Sequence, residues 1–324
     1  MSKQKVLIVG ATGETGSTVL DALIEDGSFD VTCFIRTASA NKPAAQKLRD
    51  RGLKIVTGDL TGSIKDLVAL VCGTDTIIST IYPESVGEQI PLVDAAVQAG
   101  VRRFVPCNFG TPSARGGIMD MRDRKEEVHD HMFRARLGYT IVDVGFWYET
   151  SFPRVPSGRF DYASAIPNLE VFAGGAAPNM LIGKRDVGRL TARIMKDERT
   201  LNKRVYAYAD LLSQNELNAI VEEKTGEKLE LTHVTADQVL ANITAAREAF
   251  KANPAEPVNM YMMAMSQYAN TKYVREDNTP ENAEYLGYIN GRELYPDFEW
   301  LSFGGFVDEL LAGKVQKPYA HLSM

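Results

Sequence analysis

The run Lys5-Val-Leu-Ile-Val-Gly10-Ala-Thr-Gly13-Glu-Thr-Gly16-Ser-Thr-Val-Leu20 limits the possible folds more than any other segment of the chain. Its apolar start reads as a buried parallel strand. Three glycines at three-residue spacing follow, and then apolar residues at helical period. Strand, glycine-rich turn and helix together form the phosphate-gripping unit of a dinucleotide-binding fold. Gly10 lets the chain turn off the strand. Gly13 leaves room for pyrophosphate to approach the backbone, and Gly16 lets the helix lie close to the sheet. Thr12, Glu14 and Thr15 complete the loop. Free N–H groups and the positive helix end then face the anion. A glycine triplet also occurs in purely structural turns. Its place directly after an N-terminal strand favours the nucleotide site.

The rest of the first half alternates strand and helix. Strands are expected at about 5–10, 31–36, 53–57, 75–81, 103–106 and 139–144, with helices at about 15–26, 42–51, 63–71, 86–99 and 122–136. Such alternation implies right-handed crossovers and an α/β fold, a Rossmann-type doubly wound parallel sheet covered on both faces. The beat breaks near residue 150. Residues 151–180 are rich in Pro, Gly and aromatics and read as loops with short strands. A helix near 185–197 and a strand near 204–208 suggest a return to the first domain. Helices follow at roughly 213–225, 235–250, 257–270 and 303–313. The expected organisation is a nucleotide-binding domain over 1–152, with a return at about 180–210, and a smaller, mostly helical substrate domain over 153–324.

The 324 residues suffice for a sizeable core. Apolar content of 44% and charged content of 24% are ordinary for a soluble globular protein. The net charge of −6, from 36 basic and 42 acidic side chains, argues against nucleic-acid and polybasic membrane partners. The longest apolar runs are strand-sized, well below the roughly 20 residues of a spanning helix. Cys33, Cys72 and Cys107 are scattered and odd in number, which suits reduced thiols in a cytoplasmic protein. Asn242-Ile-Thr244 spells a glycosylation acceptor, with no secretion signal to give it meaning. The expected partners are a small molecule and, at most, a second copy of the chain, as a monomer or homodimer.

The second strand, Val31-Thr-Cys-Phe-Ile-Arg36, bears on the choice of nicotinamide cofactor. An NAD site usually ends this strand with an acidic residue that bonds the ribose 2′-hydroxyl. Arg36 stands there instead, and a guanidinium can grip a 2′-phosphate with two charge-assisted bonds. No Asp or Glu occurs from Val31 to Gln46, and Lys42 and Lys47 lie nearby. NADPH is therefore the expected cofactor, against the alternative that Arg36 is only a solvated strand end. Asp59 after the third strand is expected to flank the adenine. Ser79, Thr80 and Ile81 end the fourth strand, under the cofactor.

The chain lacks a Tyr-x-x-x-Lys pair about 150 residues in. Tyr268-Ala-Asn-Thr-Lys272 fits the letters but lies deep in the second domain, and we read it as accidental. The catalytic candidate is Lys125, on the helix leading into the sixth strand. A lysine in a cleft can bond the nicotinamide ribose and move a proton at a substrate oxygen. In Arg122-Asp-Arg-Lys-Glu-Glu it also fits an ordinary surface position. His129 lies one turn on and shares the face, as a proton relay or a structural histidine. His129, His131, His233 and His321 have no spacing that makes a metal site.

These segments resemble the isoflavone reductase-like, NmrA-type branch of the atypical short-chain dehydrogenases. That branch includes isoflavone, pinoresinol–lariciresinol and phenylcoumaran benzylic ether reductases and eugenol synthase. The resemblance spans nearly the whole chain. Gly10 to Gly16 matches the nucleotide loop, and Arg102-Arg-Phe-Val-Pro-Cys-Asn-Phe-Gly110 resembles "KRFLPSEFG". Lys125 followed by Gly138-Tyr-Thr140 matches the family's catalytic lysine and the opening of the next strand. Asp197 to Lys203, Leu212 to Glu216 and Leu294-Tyr-Pro-Asp297 resemble "DPRTLNK", "LSxNE" and "LYPD". The resemblance implies bound NADPH, a substrate cleft between domains and a catalytic role for Lys125. In the family's reductases this lysine deprotonates a phenol or steadies its oxyanion. A benzylic group then leaves, and hydride reaches the resulting quinone methide. Three departures concern the substrate. Cys107-Asn108 replaces Ser-Glu, Gly145-Phe146-Trp147 replaces Asn-Cys-Phe beside the nicotinamide, and His129 replaces an Arg.

Phe146, which the resemblance places against the cofactor, is followed by Trp147, Tyr148 and Phe152. They lie at the carboxyl end of the sixth strand, where such sheets bind ligands. This cluster suits a flat aromatic substrate, or else it is an inter-domain core. Met260-Tyr-Met-Met-Ala-Met265 reads as core packing in preference to a permissive pocket wall. The function expected is NADPH-dependent reduction of a small aromatic compound: a phenylpropanoid, flavonoid or aromatic polyketide. The competing readings are a non-catalytic NADP(H)-sensing regulator and a redox-neutral lyase or isomerase on the same scaffold.

Overall fold

The computed structural model describes residues 3–166 and 168–320. The order along the chain is β1 (Gln4–Val9), α1 (Glu14–Asp26), β2 (Phe29–Arg36), α2 (Pro43–Asp50), β3 (Lys54–Gly58), α3 (Ile64–Val71), β4 (Thr76–Ser79), α4 (Gln89–Gln98), β5 (Arg103–Val105), α5 (Asp120–Arg134) and β6 (Thr140–Asp143). Next come β7 (Phe146–Trp147), β8 (Glu170–Phe172), β9 (Asn179–Ile182), α6 (Lys184–Met195), β10 (Lys203–Tyr206), β11 (Asp210–Leu212), α7 (Gln214–Thr225) and β12 (Thr232–Val234). The described chain ends with α8 (Ala236–Ala252), α9 (Pro257–Ala269), a π-helical turn (Asn270–Val274), α10 (Pro280–Tyr285), β13 (Tyr288–Asn290), α11 (Gly291–Leu294) and α12 (Phe303–Leu311). It forms two compact units. The first holds Met1–Phe109, Asp123–Asp143 and Lys184–Val205, and the second holds Gly110–Arg122, Val144–Gly183 and Tyr206–Met324.

In the first unit, β3-β2-β1-β4-β5 form one parallel sheet in that order. This is the dinucleotide-binding strand order, which reverses between β1 and β4. The central strand explains itself: Val6, Leu7, Ile8 and Val9 are all buried, as a parallel strand covered on both faces must be. Leu67, Val71, Leu92, Val93, Phe104 and Ile141 pack on one side of the sheet. Each such side chain contributes about 1.5–3 kcal/mol when fully buried. The return segment packs α6 on α1. A Cβ on Gly188 would overlap the Thr18 carbonyl oxygen, so only glycine permits this approach. Arg103 takes the carbonyls left open at the end of α6, donating to Ile194 O at 3.0 Å and Asp197 O at 3.2 Å.

The second unit is mostly helical, with short strands set between its helices. β9 pairs in parallel with β7 and antiparallel with β11, and β8 pairs in parallel with β12. Capping boxes start α7 (Ser213 with Glu216) and α8 (Thr235 with Gln238). Val239, Ile243 and Ala269 form a small core with Phe172 and Tyr273 against it. The methionine run on α9 packs less than expected: Tyr261 and Met262 are exposed. Among the described residues no helix is long and apolar enough to cross a membrane.

Candidate functional site

The glycine loop of the first unit sits where β1 and β4 end side by side. Gly10 has φ +92°, and a Cβ there would lie 2.6 Å from the Thr80 carbonyl oxygen. A Cβ on Gly16 would overlap the Gly10 carbonyl. The Thr80 amide and hydroxyl both donate to Val9 O, at 2.8 and 2.9 Å, which fixes the two strand ends together. Gly13 differs from its two neighbours in the motif. Its nearest contact would be the Gly10 oxygen at 3.4 Å, so the protein itself does not need a glycine there. Space at that position suits an approaching ligand. Gly13 is the N-cap of α1 and offers no side-chain cap, which leaves first-turn amides for an anion.

The remaining expected cofactor residues of the first unit lie around this loop. Thr12 is exposed and Thr15 half-buried. The Glu14 carboxylate is paired with Lys184, which neutralises a negative charge beside an anion site. Arg36 ends β2 in solvent. Its charge is felt by Tyr82, whose phenol is pushed up by burial and by Glu14 and Glu84 against the opposing pull of Arg36. Asp59 is exposed after β3 and accepts from the Gly62 amide at 2.9 Å. The Ser79 hydroxyl is fully buried without a hydrogen-bond partner. Ile81 accepts from the Cys107 thiol through its carbonyl at 3.0 Å.

Lys125 projects from α5 half-buried, and its Nζ donates to Asn108 O at 2.6 Å. Asn108 is itself anchored, its Nδ2 donating to Asp143 Oδ1 at 2.6 Å. Phe109 follows at φ +43°, a conformation that non-glycine residues seldom adopt, and its amide bonds Val142 O at 2.8 Å. The strained turn therefore presents the Asn108 carbonyl to the lysine. Burial pushes the adjoining Cys107 thiol up, opposed by the Lys125 charge. Asn108 was visible in the sequence only as a departure from the family pattern.

His129 is fully buried on α5, with Nδ1 3.2 Å from Glu126 Oε2. Glu126 also accepts two bonds from Arg204, at 3.0 and 2.9 Å. The histidine thus sits beside the Arg204–Glu126 ion pair of the first unit. His131 contacts Asp94 at 2.7 Å, His233 lies on β12, and His321 falls outside the described residues. Among the described residues no three side chains are grouped to hold a metal.

In the second unit the aromatic group divides. Tyr148 is fully buried, its hydroxyl 2.6 Å from Asp210 Oδ2 and its ring against Phe303 and Phe306. Phe152 is buried against Phe160 and Phe306. These two side chains build the core of the unit and offer no open ring face. Phe146 and Trp147 remain half-buried. Gly145 before them has φ +70°, and a Cβ there would overlap the Met180 carbonyl, which explains the glycine in that departure from the family. Phe146 packs edge-on against Tyr268, centroids 5.3 Å apart. Lys272, set aside on sequence grounds, places Nζ 3.3 Å from the centre of the Phe146 ring.

The NmrA-like family model matches residues 2–307. The asnovolin J 5′,6′-dehydrogenase of Aspergillus novofumigatus is 39% identical over 312 residues, covering 95% of each chain. A phenylcoumaran benzylic ether reductase of Pyrus communis is 28% identical, covering 96% of this chain and 99% of its own. The leucoanthocyanidin reductase–NADPH complex from Vitis vinifera superposes with a TM-score of 0.79 at 22% identity, over 95% of this chain and 99% of that one. An isoflavone reductase structure gives 0.76 at 23%, over 95% and 99%. The chain belongs to the NmrA-like family and is an oxidoreductase of its isoflavone reductase-like branch.

Proposed function

We propose that the protein is an NADPH-dependent reductase of a small planar aromatic substrate, with Lys125 as the group that steadies or protonates the substrate oxygen. The observation that carries the cofactor choice is the loop itself: space at Gly13 over a helix N-terminus, a buried Ser79 hydroxyl without a partner, and a guanidinium at the end of β2. The residues fit the group. First-turn backbone amides of Glu14, Thr15 and Gly16 would hold the pyrophosphate, and Arg36 would hold the 2′-phosphate. Thr80 and Ile81 would lie under the rings. The bound nicotinamide supplies a hydride.

The protein's own part is electrostatic and positional. Lys125 donates to a backbone carbonyl, which orients its ammonium toward an oxygen that gains negative charge. In the second unit Phe146 and Trp147 offer ring surface for a flat substrate. Relatives named as a benzylic ether reductase and a dehydrogenase, and a neighbour solved with NADPH, support this reading.

The test is a screen of phenylpropanoids, flavonoids and aromatic polyketides, followed by NADPH absorbance. Wild-type protein is expected to consume NADPH with at least one class, and Lys125→Ala to bind NADPH without consuming it. No consumption with any compound, together with unequal affinity for NADP+ and NADPH, would favour a sensor. Product formed without loss of NADPH would favour a lyase or isomerase.

A further inference from the structure

Lys272 is the most unusual charged residue in the second unit. It is 5% exposed, yet no carboxylate, carbonyl or hydroxyl among the described residues accepts from its ammonium. Its neighbours are ring faces. Nζ lies 3.3 Å from the Phe146 centroid and 4.7 Å from that of Tyr273. Tyr268 meets Phe146 edge-on, and Phe172 stacks flat on Tyr273 at 5.3 Å. Phe146, Tyr268 and Tyr273 are each only half-buried.

The backbone there is also irregular. α9 ends at Ala269, and Asn270–Val274 form a π-helical turn, which sets Lys272 out of register with the helix before it. Such turns concentrate at functional sites. The same turn carries a buried oxygen without a hydrogen-bond partner, Asn270 Oδ1. Burial alone lowers the Lys272 amine, to about 7. An ammonium desolvated without a counter-charge is costly, and such residues cluster where a ligand completes the pairing.

We propose that Lys272 is a ligand-binding amine: it receives the acidic oxygen of a planar conjugated ligand, a phenolate or enolate, whose ring shares the aromatic wall of Phe146 and Tyr273. The proposal rests on and deepens the reductase reading above, since it assigns a second, acidic oxygen of the substrate, apart from the oxygen that Lys125 serves. The geometry supplies what such a ligand needs. A short-range cation is aimed along ring faces, and half-open aromatic surface adjoins a buried acceptor on the same turn. The rings fix the ammonium's position without neutralising it, so its charge stays available to an anion.

The test uses 4-nitrophenol, whose phenolate absorbs in the visible, with the intact protein. Wild-type protein is expected to bind the probe as phenolate, shown by growth of the visible band at a pH where the free probe is mixed. Lys272→Met should weaken binding at least tenfold and abolish the band growth, with NADPH affinity unchanged, while Lys272→Arg should retain the band. A second measurement needs no variant. Reductive methylation near neutral pH, read by mass spectrometry, should modify Lys272, and 4-nitrophenol should protect it. Equal binding and equal band growth in Lys272→Met, or methylation of Lys272 unaffected by saturating probe, would overturn the proposal. NADPH consumption can be scored separately. A protein that binds nitrophenolate through Lys272 but reduces nothing refutes the reductase reading and leaves this one standing.

Discussion

Two lysines carry the same ammonium into opposite settings. Lys125, in the first unit, is half-buried and held by a backbone carbonyl that a strained turn delivers. Lys272, in the second unit, is buried against ring faces with no acceptor among the described residues. Hydrogen bonding to the charged form preserves it, whereas desolvation penalises it. The first arrangement keeps a cation ready and oriented. The second keeps an amine near the border between charged and neutral. The contrast shows that residue type alone says little about chemistry. The partner groups decide, and they come from distant parts of the chain.

The largest effect expected along this contrast is on turnover. Lys125→Ala should lower kcat by roughly 10²–10⁴-fold, the usual value of a positioned proton donor or oxyanion ligand, with NADPH affinity kept within about threefold. Single-turnover kinetics would check it, and full activity would remove Lys125 from the mechanism.

Next comes the effect of Lys272 on stability. Its folded value of about 7 lies below the ordinary 10.5. Between those values the unfolded chain holds more protons, so this group makes stability rise with pH from about 7 to 10. Below about 7 both states are charged and the penalty is complete. Lys272→Met should therefore be more stable than wild type at pH 7, on the order of a few kcal/mol, and the gap should shrink toward pH 10. Urea denaturation at both pH values measures it. A constant gap would show that the amine is not desolvated.

Gly145→Ala should cost about 2–4 kcal/mol, because the residue has φ +70° and its Cβ would meet the Met180 carbonyl. Thermal denaturation reads this, and a neutral result would mean that β7 can move away from β9. Phe146→Leu should cost least, about 1–2 kcal/mol, by removing one ring from the Lys272 ammonium while retaining apolar bulk. The same substitution should shift the pH dependence of the Lys272 effect. No shift would separate the ring from the amine.

The parallel sheet was legible because each of its strands is a short apolar run followed by a helical period, and the period is local. The glycine loop was legible for the same reason: strand, turn and helix lie within one stretch of sequence. Asn108 showed only as a mismatch with the family, and its use as the acceptor for Lys125 depends on a positive φ at Phe109. Tyr148 and Phe152 read as pocket or core equally well, and burial against Phe303 and Phe306 from the C-terminal helix decides for core. Lys272 was missed because nothing in Tyr268-Ala-Asn-Thr-Lys272 reveals the π-helical turn or the ring of Phe146. Strands β7, β9 and β11 escaped notice because they are short and pair across long separations in sequence.

The central claim is that the first unit grips a phosphorylated dinucleotide through Arg36, and calorimetry tests it most directly. NADPH and NADH are titrated into wild-type protein and into Arg36→Ala. Wild type is expected to prefer NADPH, and the substitution to weaken NADPH binding by about 1.5–3 kcal/mol while leaving NADH nearly unchanged. Equal losses for both cofactors, or no binding of NADPH by folded wild-type protein, would contradict it.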